Sequence, residues 1–151
     1  MDDVVVARAP EQLQAVNAVI HDCFFERDRI VFDENRRELQ IPFEYAVDSE
    51  ARVLRRLLFL TKAETPLVQA SLSIRRVSDW SIDDTQGVGS YDFDKLVYDP
   101  GAQEVTILAG VPIDIRASVE AIEIAVRVSD SVVGWQRGWR WFGFRVRLTP
   151  S

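Results

Sequence analysis

The sequence has few of the residues on which disulfides, metal centres and imidazole chemistry depend. It contains one cysteine, Cys23, and one histidine, His21, among 151 residues. A single cysteine excludes a disulfide within the chain and is typical of a reducing compartment. A zinc site would need two or three further soft ligands, and none are present. We therefore expect no disulfide, no metal site and no cofactor.

Long apolar runs are also missing. The longest uninterrupted runs, such as 57–60, hold only a few residues, whereas a membrane-spanning helix needs roughly 20. The chain starts Met1-Asp2-Asp3, without the basic region and apolar stretch of a signal peptide. These features predict a cytoplasmic protein that has no membrane partner.

The motifs of several enzyme classes are absent. The segment Gly87-Val88-Gly89 lacks the Lys-Ser/Thr of a P-loop and the third glycine of a dinucleotide fingerprint. Neither a Gly-x-Ser-x-Gly elbow nor the ligand spacing of an EF-hand occurs. The length of 151 residues suits one domain, residues 1–151, that can bury a sizeable core.

Acidic residues are missing from the end of the chain. All 24 acids lie at or before Asp130, whereas residues 134–148 hold four arginines and three of the four tryptophans. Residues 1–130 therefore carry 14 bases against 24 acids, a charge of −10, and the remainder carries +4. An acidic body disfavours general nucleic-acid binding, because neutralising phosphates requires clustered Lys and Arg.

Apolar periodicity predicts one helix followed by strands. Pro10 stands at a favoured first helical position, and apolar residues then recur at helical spacing up to a predicted end at 22–25. After the helix, apolar and polar residues mostly alternate, as in 68–74, 111–116 and 122–129. We predict an α+β domain in which one N-terminal helix packs against a mainly antiparallel β-meander sheet or partial barrel.

Some segments leave alternatives. Residues 53–61 read as a strand, although a short helix over Ser49–Leu58 competes with it. Thr65-Pro66 is predicted to form a turn. The region Asp79–Asp94 is predicted to be a loop that leads into a strand.

The aromatic and basic tail is the first candidate site. We predict an ordered strand over 139–148, with Phe142, Phe144, Val146 and Leu148 on its apolar face. The other face holds the candidate ligand- or partner-binding residues Trp139, Trp141, Arg145 and Arg147. Flat rings beside guanidinium groups suit sugars, peptides or single-stranded nucleic acid. Alternatively, the arginines pair with acids across the sheet and the tryptophans cover an edge of the core.

The Asp79–Asp94 region is the second candidate site. It packs five aspartates, two glycines and Trp80 into one stretch, and we select Trp80, Asp83 and Asp84 as candidate binding residues. Oxygen-rich clusters can hold calcium or magnesium. The competing interpretation is a solvated turn whose acids stay outside the core.

The segment His21-Asp22-Cys23 joins the single histidine to the single cysteine. Helix positions two apart point roughly 200° apart, so these side chains cannot form a nucleophile pair there. We expect a structural role for Cys23, and helix capping by His21 and Asp22.

The run IHDCFFERDRIVFDENRRELQIPF resembles openings of small uncharacterised bacterial β-rich proteins, some of which are immunity proteins of toxin systems. The residues that carry the resemblance are His21, Asp22, Ile30, Phe32 and Asp33. It covers about a sixth of the chain and departs from the pattern in having a full helix before the His-Asp pair. It implies a stoichiometric binding protein, for which an acidic body would attract a basic partner such as a nuclease.

Taken together, the residues favour a non-enzymatic, cytoplasmic protein that binds another protein or a small ligand. The alternative is a small enzyme that uses carboxylates of the Asp79–Asp94 region, with or without a divalent metal. Neither the partner nor the oligomeric state follows from the sequence.

Overall fold

The computed structural model describes residues 2–58, 60–141 and 144–146, of which 140, 141 and 144–146 are described by their backbone alone. One α-helix and twelve strands run through this part of the chain. Their bounds are β1 (Asp3–Ala7), α1 (Leu13–Ile20), β2 (Phe24–Glu26), β3 (Val31–Asp33), β4 (Glu38–Ala46), β5 (Arg52–Leu57), β6 (Leu60–Ile74), β7 (Val77–Asp83), β8 (Ser90–Asp99), β9 (Glu104–Ala109), β10 (Asp114–Val119), β11 (Ile124–Trp141) and β12 (Phe144–Val146).

The strands form one open antiparallel sheet. Their order is β1-β11-β6-β4-β2-β8-β9-β10-β7, and β3, β5 and β12 pair with β4, β6 and β11 respectively. The end strands β1 and β7 do not pair with each other within the described chain, so the sheet is not closed into a barrel. The predicted α+β class, with one helix and a mainly antiparallel sheet, is confirmed. None of the described helices is long and apolar enough to cross a membrane.

The helix begins where the sequence predicts and ends earlier. Pro10 opens a 3-10 turn (Pro10–Gln12) that leads into α1, which contacts β1, β8 and β11. The side chains that α1 buries share one stripe: Leu13, Val16 and Ile20. The helix stops at Ile20 rather than at 22–25 because Asp22 adopts a φ of 64°, in the left-handed region, and the chain then enters β2.

Two segments before Ile74 differ from the predictions. Thr65-Pro66 lies inside β6 and does not form a turn. Pro66 falls where β6 exchanges one neighbour for another, since the pairing of β6 with β4 ends at Leu67 and its pairing with β5 starts at Glu64. A proline N–H is not needed at such a junction. The competing helix over Ser49–Leu58 is wrong, because β5 occupies most of that stretch.

Two later segments also differ. Asp79–Asp83 belongs to strand β7 and not to a loop, so only 84–89 connects β7 to β8. The strand predicted over 111–116 is displaced, since β10 runs from Asp114 to Val119. Within β10 the buried side chains are Ile115, Ala117 and Val119.

The long strands β6 and β11 continue past the body of the sheet. The last residue of β4 pairs with Leu67, and the pairing of β1 with β11 stops at Val128. Beyond these points β6 and β11 pair with each other, with β5 on one side and β12 on the other. We call residues 51–66 and 131–146 the arm, and residues 2–50 and 67–130 the body. Six residues of β6 beyond Pro66 give the arm a reach of about 20 Å.

Candidate functional site

One face of the arm continues the core-facing surface of the body. On β6 the buried residues alternate from Ile74 to Pro66, and the same alternation places Glu64, Lys62 and Leu60 on that face, whereas Ala63 and Thr65 are buried on the other face. The register of β11 against β6 shifts twice between Val128 and Gly134. These irregularities change the phase of β11, so its later odd-numbered residues lie on the core-facing side. Trp135 therefore lies opposite Pro66 at the root of the arm.

Cations and aromatic rings alternate across this face. The guanidinium of Arg52 lies 4.4 Å from the ring centroid of Trp135, and the ammonium of Lys62 lies 6.0 Å from that of Trp139. Between these pairs, Arg137 Nε lies 3.4 Å from Glu64 Oε1. Such cross-strand contacts stabilise the pairing of β5, β6 and β11 on this face. The two tryptophans therefore already have cationic neighbours from β5 and β6.

The tail consists of two strand segments rather than the single predicted strand. β11 runs to Trp141, and β12 returns antiparallel to it, with Trp139 opposite Val146 and Trp141 opposite Phe144. Arg145 pairs with Arg140, one row away from both tryptophans, so the register places it on the other face. The prediction that Arg145 shares a face with Trp139 and Trp141 is therefore wrong. Arg147, like Phe142 and Leu148, lies outside the described residues.

Charge divides sharply between the arm and the body. The arm holds seven of the 18 bases and one of the 24 acids, a charge of +6. The body holds ten bases and 23 acids, a charge of −13, and Arg147 supplies the last positive charge. Within the described chain, Arg55 and Arg56 have neither an ion-pair nor a hydrogen-bond partner. Arg55 and Arg56 therefore present positive charge that none of the described acids neutralises.

The arm also exposes several large apolar side chains. All six residues of β5 are exposed, and the fully exposed Leu58 stands at the turn that follows. The other exposed apolar side chains of the arm are Val53, Leu54, Leu57, Val132, Val133 and Trp135. Exposed apolar side chains gathered on one part of a fold are typical of a contact surface. The sequence predicted a strand over 53–61 but not that it forms part of this surface, although a run of Arg and Leu with no acid between 51 and 63 is visible.

Trp80 lies far from the tail in the order of the sheet. It belongs to β7, the strand at the opposite end of the order from β1 and β11. Its register partner on β10 is the buried Ala117, and its ring centroid lies 5.5 Å from that of Phe32 on β3. Trp80 therefore covers the edge of the core between β7 and β3 and remains partly exposed.

Asp84 holds its own loop closed. Its carboxylate accepts one hydrogen bond from the Tyr91 hydroxyl and a second, of 3.1 Å, from the backbone N–H of Gly87. The phenol oxygen in turn accepts the backbone N–H of Val88 at 3.2 Å. Burial, together with the hydrogen bond to Asp84, raises the pKa of Tyr91. The Asp84 carboxylate therefore already accepts hydrogen bonds from within its own chain.

Asp83 behaves differently from its neighbour. It is exposed at the end of β7, opposite Asp114 on β10, and has no partner for its charge within the described chain. Asp114 itself pairs with Arg116 at 2.8 Å. The three residues of the second candidate site therefore have different roles: Trp80 covers the core, Asp83 is exposed and unpaired within the described chain, and Asp84 accepts hydrogen bonds from its own loop. None of them lies near the tail in the order of the sheet.

His21 and Cys23 make different contacts. The Cys23 thiol donates to the backbone oxygen of Val19 at 3.4 Å and packs beside the core. The His21 ring nitrogen Nδ1 lies 3.0 Å from the backbone oxygen of Asp94, on β8. These contacts support the structural role expected for Cys23.

No group of three or more His, Cys, Asp or Glu side chains that could hold a metal occurs among the described residues. We expect magnesium, calcium and manganese to leave the melting temperature unchanged, because a folded-state site is what would raise it by mass action. Thermal denaturation with each metal and with EDTA measures this. An increase of several degrees with one metal would favour the carboxylate-dependent enzyme instead.

The chain has no match among protein-family models, curated proteins or solved structures. The resemblance to toxin-immunity proteins therefore stays a prediction. The candidate site rests on the geometry of the arm.

Proposed function

We propose that the chain is a non-enzymatic, cytoplasmic binding protein whose contact surface for a protein partner is the arm. The observation that carries this proposal is the coincidence, on one four-stranded extension, of unpaired positive charge with exposed apolar side chains. Protein interfaces combine an apolar centre with arginine and aromatic residues in this way.

The chemistry of the arm also indicates the kind of partner. Its charge of +6 attracts an acidic surface, and complementary charge raises the rate and specificity of association. The tryptophans stiffen the arm through their cation–π contacts with Arg52 and Lys62. A stiff arm loses less conformational freedom when it binds. The role of an immunity-type protein, in which the acidic body would face a basic toxin, remains what the resemblance implies.

The test is an apolar double substitution on β5. We expect Leu54→Ser with Leu57→Ser to weaken partner binding by a factor of roughly ten or more, because two exposed leucines leave the interface. The partner is first retained from an extract of the protein's own cell, then purified and titrated calorimetrically. The substitutions should leave the fold intact, since both side chains are exposed.

The matched control is Val4→Ser with Val6→Ser, on the edge strand β1 of the body. These valines are 48% and 41% exposed, close to the 47% and 42% of Leu54 and Leu57. The control variant should bind as the wild type does. Equal binding by the arm variant and the wild type would refute the arm as the contact surface.

A further inference from the structure

We propose that the free edge of β5 in one copy pairs with the free edge of β7 in a second copy, so that the sheet continues from molecule to molecule. This inference rests on the proposed function, because it takes the arm as the contact surface and names its acidic partner.

Both strands have an edge to which no other strand is paired. Within the described chain, β5 pairs with β6 alone and β7 with β10 alone. On β7 the backbone N–H of Val77 donates to the Arg37 carbonyl oxygen at 3.0 Å, and that of Trp80 donates to the Asp79 carboxylate at 2.9 Å. A second strand would therefore pair with β7 beyond Val77 and would displace the Asp79 side chain. An exposed row of backbone donors and acceptors is a template for another strand.

The charges of the two edges are opposite. β5 contains Arg52, Arg55 and Arg56 and no acid, and all three side chains are exposed. β7 contains Asp79 and Asp83 and no base, with Asp84 directly after it. On the neighbouring strand, Arg116 is already paired with Asp114 and Glu104. The β7 edge is therefore acidic where the β5 edge is basic.

Other edges of the body fit less well. β3 has only three residues, and β7 has seven. β1 carries one acid, Asp3, at its first position and none along its length. Pairing of two arms through β5 would place arginine against arginine, which is destabilising. The β7 edge is thus the acidic edge of sufficient length, and its exposed Trp80 can also contact apolar residues of β5.

The geometry of this contact has a consequence for assembly. It joins two different surfaces, so a dimer keeps one unused β5 edge on one copy and one unused β7 edge on the other. Association should therefore continue beyond a dimer as concentration rises, unless the copies close into a ring. Because charges drive it, added salt should weaken it.

The test is sedimentation velocity of the full chain from micromolar to near-millimolar concentration, at low and high ionic strength. We expect wild-type oligomers at low salt. Arg55→Glu with Arg56→Glu, and separately Asp79→Arg with Asp83→Arg, should each weaken self-association by roughly a factor of ten or more. The control Arg8→Glu with Arg29→Glu has the same change of charge as the first pair, at other sites of the body, and should associate as the wild type does.

Combining the two charge reversals in one chain discriminates this contact from a general charge effect. The fourfold variant has an acidic β5 and a basic β7, so its self-association should return towards the wild-type level. An equimolar mixture of the two double variants should associate as the wild type does, with the variants alternating, since the β5 edge of each variant is opposite in charge to the β7 edge of the other. Failure of both to restore association would exclude the pairing of β5 with β7.

A wild type that stays monomeric at every concentration overturns the inference. If that monomer instead sediments with vesicles of phosphatidylserine and phosphatidylcholine in an Arg55- and Arg56-dependent way, the arm binds lipid and the inference is also wrong. The proposed function fails separately, when the Leu54 and Leu57 variant binds a purified partner as well as the wild type does.

Discussion

Replacing Phe25 by alanine should lower the free energy of unfolding by about 3–5 kcal/mol. Phe25 is 1% exposed, and its ring centroid lies 4.4 Å from that of Phe93 and 5.8 Å from that of Tyr91. Phe93 in turn meets Phe43 edge-on at 5.5 Å. Removing the ring leaves a cavity among aromatic side chains that cannot collapse without moving β2, β4 and β8. A loss of this size is a large part of the stability of a typical domain.

The adjacent residue supplies the control. Phe24 stands next to Phe25 on β2 and is 55% exposed, so Phe24→Ala should change the free energy of unfolding by about 1 kcal/mol or less. Urea denaturation of both variants measures the difference. Similar losses for the two substitutions would mean that β2 does not present Phe25 to the core.

The sequence predicted the body better than the arm. The stripe of Leu13, Val16 and Ile20, and the alternation along 68–74, each depend on local spacing and are confirmed. The helix ends where Asp22 adopts a left-handed conformation, and the sequence does not indicate this because no glycine stands at that position. Pro66 was read as a turn because a proline inside a strand is tolerated only at a change of neighbours, and neighbours are set by the whole fold.

The arm could not be predicted from spacing because its faces depend on irregular register. Four residues of β11 between Val128 and Gly134 have no register partner on β6, and the single extra residue at Val133 decides which side the tryptophans occupy. In the sequence, the separation of basic from acidic residues is evident only for the tail. The basic segment 51–63 lies about 80 residues away in sequence, and pairing of β6 with β11 brings the two together. Long-range pairing of this kind leaves no local signature.

Tyr91→Phe should lower the melting temperature by roughly 2–5 °C at neutral pH. The hydroxyl joins Asp84 to the backbone N–H of Val88, and its loss opens the 84–89 loop. Tyr98→Phe is the control, because the Tyr98 hydroxyl has no hydrogen-bond partner within the described chain. Thermal denaturation of the three proteins gives the comparison.

The alkaline dependence of stability tests the same contact independently. Burial and the hydrogen bond to Asp84 raise the pKa of Tyr91 above its ordinary value of 10.0. Between that value and the higher folded pKa, the unfolded chain releases a proton that the folded chain retains. The stabilising contribution of Tyr91 is therefore fully present below this window, and the free energy of unfolding falls as the pH rises through it. Tyr91→Phe removes this contribution, so the gap in stability between wild type and variant should narrow above pH 10. A stability difference between wild type and variant that does not change with pH, together with equal melting temperatures at neutral pH, would show that the Tyr91–Asp84 contact does not stabilise the fold. Asp84 would then again be a candidate for ligand binding.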